Sequence, residues 1–171
     1  MASLMEEMVN TLSEELNYYK QLLELAKTKT KVIVDNDTEQ LQQLTEQEQI
    51  LASRLLRLEK KREEKIQDIA LVINKSPDEL TLNNLIALLK GQEKEQDALN
   101  AIREDLVGTM AQLKVVNNQN QELINQALDY IDFTINAIRT SKSLPQTASY
   151  EGRGTVAEHQ TNDNRMFDAK Q

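Results

Sequence analysis

The chain has 171 residues with four glycines, two prolines, no cysteine and no tryptophan, and its formal net charge is −8 at pH 7. The lack of cysteine excludes disulfides, thiolate metal ligands and thiol nucleophiles. Frequent Leu, Gln, Glu, Asn, Lys and Ala, with few turn residues, favour long helices over a β-sandwich or an α/β fold, and the negative charge disfavours nucleic acid as a partner.

The first helix is predicted from about residue 3 to residue 34. Its apolar side chains recur at steps of three and four, with one extra four-residue step near Leu12, which is the spacing of a coiled-coil seam. The seam residues are Met5, Met8, Leu12, Leu16, Tyr19, Leu23, Ala26 and Ile33. Polar residues 35–39 interrupt the helix, and they predict a tight turn in which Asn36 or Asp37 caps the next helix.

The second helix is predicted from about residue 38 to residue 74. Its apolar seam residues are Leu41, Leu44, Leu51, Leu55, Leu58, Ile66, Ile69 and Ile73. Glu48 and Arg62 also fall on seam positions. Two interpretations of this pair are open: flank residues whose charged ends reach solvent, or seam residues that fix the register of the helices.

A short apolar helix follows. Ser76, Pro77 and Glu79 form a helix-start signal, and Thr81 can start a second short turn. The apolar residues that follow, up to a stop at Gly91, are Leu82, Leu85, Ile86, Leu88 and Leu89. Because so short a helix is unstable alone in water, we expect it to pack across the end of a bundle.

The last helix is predicted from about residue 93 to residue 140. Gly108 inside it costs about 1 kcal/mol relative to Ala, and both a close helix approach and a tolerated defect would explain it. The seam residues are Leu99, Ile102, Leu106, Met110, Leu113, Asn117, Asn120 and Ile124. We interpret Asn117 and Asn120 as polar seam residues that bond across helices and fix their register.

The predicted fold class is all-α: an antiparallel bundle of three long coiled-coil helices with a short apolar cross-helix, followed by an irregular C-terminal tail. The bundle takes residues 1–140 and the tail residues 141–171. The tail lacks periodicity and contains scattered Ser, Thr, Asn, Pro and Gly, so we expect it to be polar and mobile.

Near its C-terminal end the last helix carries an apolar face wider than a two-helix seam needs. The residues expected to bind a partner there are Leu123, Ile124, Ala127, Leu128, Tyr130, Ile131, Phe133, Ile135 and Ile138. At 1.5 Å per residue the three long helices span about 50, 55 and 70 Å, so the two shorter helices leave part of the third uncovered. We expect another protein to cover this end, the alternatives being the tail or a second copy of the chain.

The sequence offers little chemistry for a catalytic, cofactor or metal site. The single histidine, His159, lies in the polar tail, and no glycine-rich phosphate loop is present. The N-terminal residues lack the cations of a signal peptide, and no run approaches the ~18 apolar residues of a membrane span. We therefore expect a cytoplasmic protein that is not an enzyme, needs no cofactor and does not insert into membranes.

Several segments, taken in order, resemble the FlgN-type flagellar export chaperones. The likeness covers nearly the whole chain, and its helical part comprises residues 15–25, Ile33, Val34, Asp37, Glu39, Leu41, Leu44, Glu48, Gln49, Leu58, Glu59, Arg62, residues 81–86, residues 117–124, Leu128, Asp129 and Tyr130. Residues 150–154 and 166–170 resemble the tails of members with extended C-termini.

This resemblance implies a cytoplasmic chaperone that binds the helical, aggregation-prone termini of the two hook–filament junction proteins. Such a chaperone prevents their premature association and delivers them to the flagellar type III export gate. The wide apolar face of the last helix suits a helix-in-groove mode of cargo binding. The resemblance also suggests a gate contact in the tail, where Tyr150 and Phe167 would be aromatic anchors unless they are incidental.

A second class of function stays open on the sequence alone. A structural coiled-coil assembly or scaffold protein could self-associate through the same face of the last helix, and a prefoldin-like general chaperone is a third alternative. We expect the free chain to be a monomer, with a homodimer as the alternative, so a mass measurement in dilute solution separates the chaperone from the scaffold.

Overall fold

The computed structural model describes residues 2–89 and 93–143, and these residues form four α-helices and no strand. Helix α1 is Ala2–Val34, α2 is Thr38–Ile73, α3 is Leu82–Leu88 and α4 is Glu93–Ser143, with a 3₁₀ turn, Pro77–Glu79, before α3. The all-α class is confirmed for this part of the chain, and the predicted ends of the long helices lie within three residues of those observed. Gly91, His159 and the tail residues 144–171 lie outside the described residues.

The described chain divides into two units. The first unit holds α1, α2, α3 and the part of α4 that ends at Asp132. The second unit holds the described end of α4, from Phe133 to Ser143.

The turn between α1 and α2 ends one helix and starts the next within three residues. Asn36 has a φ of 57°, in the left-handed region that Asn tolerates at a helix end. The N–H groups of Asn36 and Asp37 donate to the carbonyls of Ile33 and Val32, both at 3.1 Å. The Asp37 carboxylate accepts from the N–H of Gln40 at 2.9 Å. The predicted tight turn is confirmed, with Asn36 as its left-handed residue and Asp37 as the cap of α2.

Helices α1 and α2 run antiparallel, because early residues of one contact late residues of the other. Three ion pairs join them: Glu7–Lys65 at 2.6 Å, Glu15–Arg62 at 3.1 Å and Lys29–Glu48 at 2.7 Å. The predicted apolar seam residues of α1 are all buried or half-buried. Those of α2 are too, so the heptad spacing placed the α1–α2 interface correctly.

Glu48 and Arg62 lie at this interface, and each head group binds an opposite charge of α1. The Lys29–Glu48 pair is largely buried, with side chains 18% and 20% exposed. Arg62 donates through Nε to the buried Glu15 carboxylate. Both side chains stay partly exposed, Arg62 at 34% and Glu48 at 20%. The two interpretations of this pair, flank residues or register-fixing residues, both stay predictions.

Burial raises the pKa of the Glu15 carboxyl above its ordinary value, and the nearby Arg62 guanidinium only partly offsets this rise. The charged form of Glu15 is thus held in the folded state at a cost. In the Glu7–Lys65 pair the hydrogen bond has the larger effect: it lowers the pKa of Glu7 and raises that of Lys65.

Helix α3 packs where α1 begins, α2 ends and α4 begins. Leu85, Ile86 and Leu89 are buried in one cluster with residues of the other three helices. The Thr81 side chain caps α3 by accepting from the N–H of Asn84 at 3.3 Å. The signal at Ser76 and Pro77 starts the 3₁₀ turn, with Ser76 at the N-cap position and no side-chain cap bond, and Thr81 starts α3.

The buried stripe of α4 differs from the predicted seam at three positions, where Thr109, Val116 and Leu123 stand in place of Met110, Asn117 and Ile124. Thr109 is buried and Val116 half-buried, whereas Met110 is 48% exposed and Asn117 is exposed. The observed stripe keeps strict steps of three and four: Leu99, Ile102, Leu106, Thr109, Leu113, Val116, Asn120, Leu123 and Ala127. The prediction took the more apolar Met110 instead of Thr109. This choice moved the predicted seam to the adjacent stripe of the same helix.

Gly108 has open space around it, since an added Cβ would meet nothing within 4 Å. The close-approach explanation is therefore wrong, and Gly108 is a tolerated weak point of α4.

Replacing Gly108 by Ala should raise the free energy of unfolding by about 0.5–1 kcal/mol, because it removes the entropic penalty of a helical glycine. Urea unfolding measures the gain. The reverse change on the same helix, Ala111→Gly, should give a loss of similar size, and a loss with Gly108→Ala would contradict the structure.

Glu15→Gln keeps an oxygen that can accept from Arg62 and removes the buried charge. The folded state raises the pKa of Glu15. The wild type should therefore be stabilised relative to the variant below the unfolded-state pKa, about 4.3. It should lose that stabilisation as pH rises through the pKa of Glu15 in the folded state. Urea unfolding of both proteins from acidic to neutral pH measures this difference. Glu14→Gln, at an exposed neighbour, is the matched control. A pH-independent difference for Glu15→Gln would contradict the assignment.

Candidate functional site

The buried amide of Asn120 connects α4 to α1. Its Nδ2 donates to the carbonyl of Ala26 at 2.8 Å, and its Oδ1 accepts from the Thr30 hydroxyl at 2.6 Å. Nearer the start of both helices, Lys20 and Asp105 form an ion pair at 3.0 Å. Later residues of α1 thus contact later residues of α4, and the two helices run in the same direction.

The two asparagines that the sequence placed on the seam have different surroundings. Asn120 is only 3% exposed and is hydrogen-bonded to α1, as a register-fixing residue would be. Asn117 is exposed and lies at the mouth of a depression between α2 and α4. A register role therefore stays a prediction for both residues, and only Asn120 has the burial and the contacts that such a role needs.

Beyond Asn120 the apolar side chains of α4 become progressively more exposed. We call the nine residues Leu123, Ile124, Ala127, Leu128, Tyr130, Ile131, Phe133, Ile135 and Ile138 the α4 apolar face. In the first unit Leu123, Ile124 and Ala127 are half-buried. Leu128, Tyr130 and Ile131 are 54%, 71% and 47% exposed.

The second unit also has exposed large apolar side chains. Phe133 is 70% exposed, Ile135 41% and Ile138 50%. Exposed large apolar groups in a row along one helix are unusual on a monomer, and they indicate a surface that another group covers. Each predicted cargo-binding residue is thus either half-buried or exposed, and none is fully buried.

A small cavity, which we call the turn pocket, lies where the α1–α2 turn meets α4. Its volume is about 150 Å³. Its lining residues are Val32, Ile33, Asn36, Asp37, Thr38, Leu41, Ile124, Ala127, Leu128 and Ile131. The pocket thus joins four residues of the α4 apolar face to the ends of α1 and α2.

A larger and more polar depression, about 530 Å³, lies between α2 and α4. Lys29 and Glu48 line it together with amide side chains that include Asn117, Asn120 and Gln121. The charged pair is bonded within itself, so the polar lining does not leave an isolated buried charge there. The apolar turn pocket and this polar depression share Ile124 as a lining residue.

Within residues 2–89 and 93–143, no group of three or more His, Cys, Asp or Glu side chains is placed to hold a metal ion. Over the same residues, no helix combines the length and the apolarity that crossing a bilayer requires. The predicted gate-contact residues Tyr150 and Phe167 lie outside the described part of the chain.

The sequence did not predict the contribution of the α1–α2 turn to this site. Ile33 and Leu41 were assigned only to the seam, and Val32 was not singled out. Thr30 was missed as the partner of Asn120. The sequence does place the last seam residue of α1, Ile33, and the first of α2, Leu41, on either side of a short turn. That proximity was the feature from which a shared contact with a third helix could have been predicted.

The family model described as "FlgN protein" matches residues 1–158. No curated protein and no solved structure matches the chain.

Asn120 and Asn117 provide a matched test of the register contact. Asn120→Ala should lower the free energy of unfolding by about 1–3 kcal/mol, because it removes two hydrogen bonds to α1, one buried and one partly buried. Asn117→Ala, at an exposed position, should change it by less than about 0.5 kcal/mol. Urea unfolding of both variants measures the contrast. Equal effects would show that the buried amide does not hold α4 against α1.

Proposed function

The chain belongs to the FlgN family of flagellar export chaperones, and on that premise we propose that it is a cytoplasmic chaperone of hook–filament junction proteins. In this proposal it binds the terminal helices of those proteins, prevents their premature association and delivers them to the flagellar export gate. The exposure of the α4 apolar face is the observation that carries the proposal.

The α4 apolar face suits an amphipathic helix as its ligand. Burying one of its large apolar side chains contributes roughly 1.5–3 kcal/mol. A cargo helix would present residues at i, i+3, i+4 and i+7 to this face, in the helix-in-groove mode. The same contact would shield the apolar stripe of the cargo helix, which otherwise favours aggregation.

The three long helices, in this proposal, form the antiparallel coiled-coil bundle that supports the binding face. The Asn120 contacts and the α1–α2 ion pairs hold the support in one register. Binding and release then need no covalent step, because a difference in affinity between chaperone and gate can move the cargo.

We assign the two functions of the chain to different segments. Residues 1–140 would hold the cargo and residues 141–171 would contact the export gate. Tyr150 and Phe167, as aromatic residues in a polar segment, would be the anchors of that contact.

The α4 apolar face would equally suit a scaffold protein that self-associates. The two functions predict different masses for the free chain in dilute solution. A monomer that forms a one-to-one complex with a junction protein supports the chaperone. A dimer that persists on dilution and is sealed by Ile131 and Ile135 would support the scaffold.

The double variant Ile131→Asp with Ile135→Asp should abolish binding of a junction protein, because it places two charges in an apolar contact. Isothermal titration calorimetry with a purified junction protein measures binding. Circular dichroism should show helicity near that of the wild type, since both residues are exposed in the free chain.

Val107→Asp with Val115→Asp is the matched control. These valines are 63% and 66% exposed on the same helix but lie outside the α4 apolar face. The control and the tail variant Tyr150→Ala with Phe167→Ala should both bind cargo as the wild type does. Normal binding by the Ile131 and Ile135 double variant would place the cargo surface elsewhere.

A further inference from the structure

The turn pocket differs from the rest of the α4 apolar face because three helices contribute to it. Val32 and Ile33 of α1 line it and are buried, with exposures of 5% and 9%. Leu41 of α2 is half-buried, whereas Leu128 and Ile131 of α4 line the pocket and remain exposed. A ligand that lies on α4 can therefore reach past it, into contact with the ends of α1 and α2.

The size of the pocket limits what can enter it. A dry apolar cavity of roughly 150 Å³ holds a group as large as benzene, and the turn pocket has about this volume. One Leu, Met or Phe side chain fits, whereas a whole helix does not. The pocket is thus suited to a single projecting side chain from a helix that lies along the exposed part of α4.

Asp37 is the charged residue among those that line the pocket, and most charged residues next to the lining residues in the sequence are acidic. Asp129 and Asp132 directly follow the lining residues Leu128 and Ile131, and the turn segment carries Asp35, Asp37 and Glu39. The nearby cations are Lys29 and Lys31. Lys29 forms an ion pair with Glu48, and Lys31 takes part in none of the described ion pairs. Such a rim attracts positive charge and repels acidic segments.

We propose that the turn pocket binds one large apolar side chain of an amphipathic cargo helix whose flanking residues are Lys or Arg. The identity of the cargo rests on the proposed function, but the chemistry of the ligand rests on the pocket itself. The pocket anchors the helix at one point, and the α4 apolar face then sets its direction. The cargo site therefore includes the α1–α2 turn as well as α4.

Isoleucine-methyl NMR of the full-length chain tests the proposal, because Ile33, Ile124 and Ile131 line the pocket. Two probes are titrated: the terminal helix of a junction protein, and a synthetic amphipathic helix of Leu and Lys. Both should shift these three methyl signals saturably. Ile69, buried in the core at 1% exposure, is the internal control and should not shift. A Leu and Glu helix of the same pattern should bind at least about tenfold more weakly.

Ala127→Phe fills the pocket from within and should weaken binding of both probes by about tenfold or more. Ala111→Phe, at an exposed position on the same helix, is the matched control and should bind as the wild type does. Leu41→Ala removes part of the α2 wall and provides a second test if Ala127→Phe does not fold. It should weaken binding by about fivefold.

Other occupants would overturn the proposal. Shifts of the Ile33, Ile124 and Ile131 signals on diluting the free chain would show a second copy in the pocket. Shifts caused by Tyr150→Ala or Phe167→Ala would show the chain's own tail there. Full binding by Ala127→Phe, or tighter binding of the Leu and Glu helix, would also overturn it.

The two probes separate failure of the pocket from failure of the proposed function. If the junction-protein helix binds without shifting the Ile33 signal, the chaperone function stands and the pocket proposal is wrong. If only the Leu and Lys helix shifts the three signals, the pocket proposal stands and the proposed cargo is wrong.

Discussion

The buried amide of Asn120 is the contact on which the rest of this structure depends. It bonds to Ala26 and Thr30 of α1, close to where α1 ends, and so joins the two helices at a defined point along α4. Helices α1, α2 and α4 have 33, 36 and 51 residues. Beyond Asn120, the residues Ile124, Ala127, Leu128 and Ile131 of α4 line the turn pocket together with the α1–α2 turn.

The apolar residues of α4 differ in burial before and after Asn120. Up to Asn120, one stripe of α4 is buried against its neighbours, and the buried Leu99 and Leu106 join the core cluster. After Asn120, Leu128, Tyr130 and Ile131 remain exposed in the first unit, and Phe133, Ile135 and Ile138 are exposed in the second. A chain that keeps such groups in water gains from a partner that buries them, which agrees with membership of a chaperone family.

The sequence predicted those features that depend on local spacing. The helix ends, the Asn36–Asp37 turn and the α1–α2 seam follow from heptad steps, caps and turn residues. It failed where two adjacent stripes of α4 satisfied the same spacing: Thr109 and Val116 are on the buried stripe, whereas Met110 and Asn117 are exposed. It also could not give the partners of Asn120 or the lining of the turn pocket, because these depend on the relative axial positions of helices far apart in sequence.

The central claim is that the cargo lies on the exposed end of α4 and at the α1–α2 turn. Hydrogen exchange of the full-length chain, measured with and without a bound junction protein, tests this claim most directly. The account predicts that the complex slows exchange in residues 123–138 and 33–41, while the α1–α2 interface around Glu15 and Arg62 is unchanged. Slower exchange confined to the outer surface of α2 or to α3, with residues 123–138 unaffected, would contradict it.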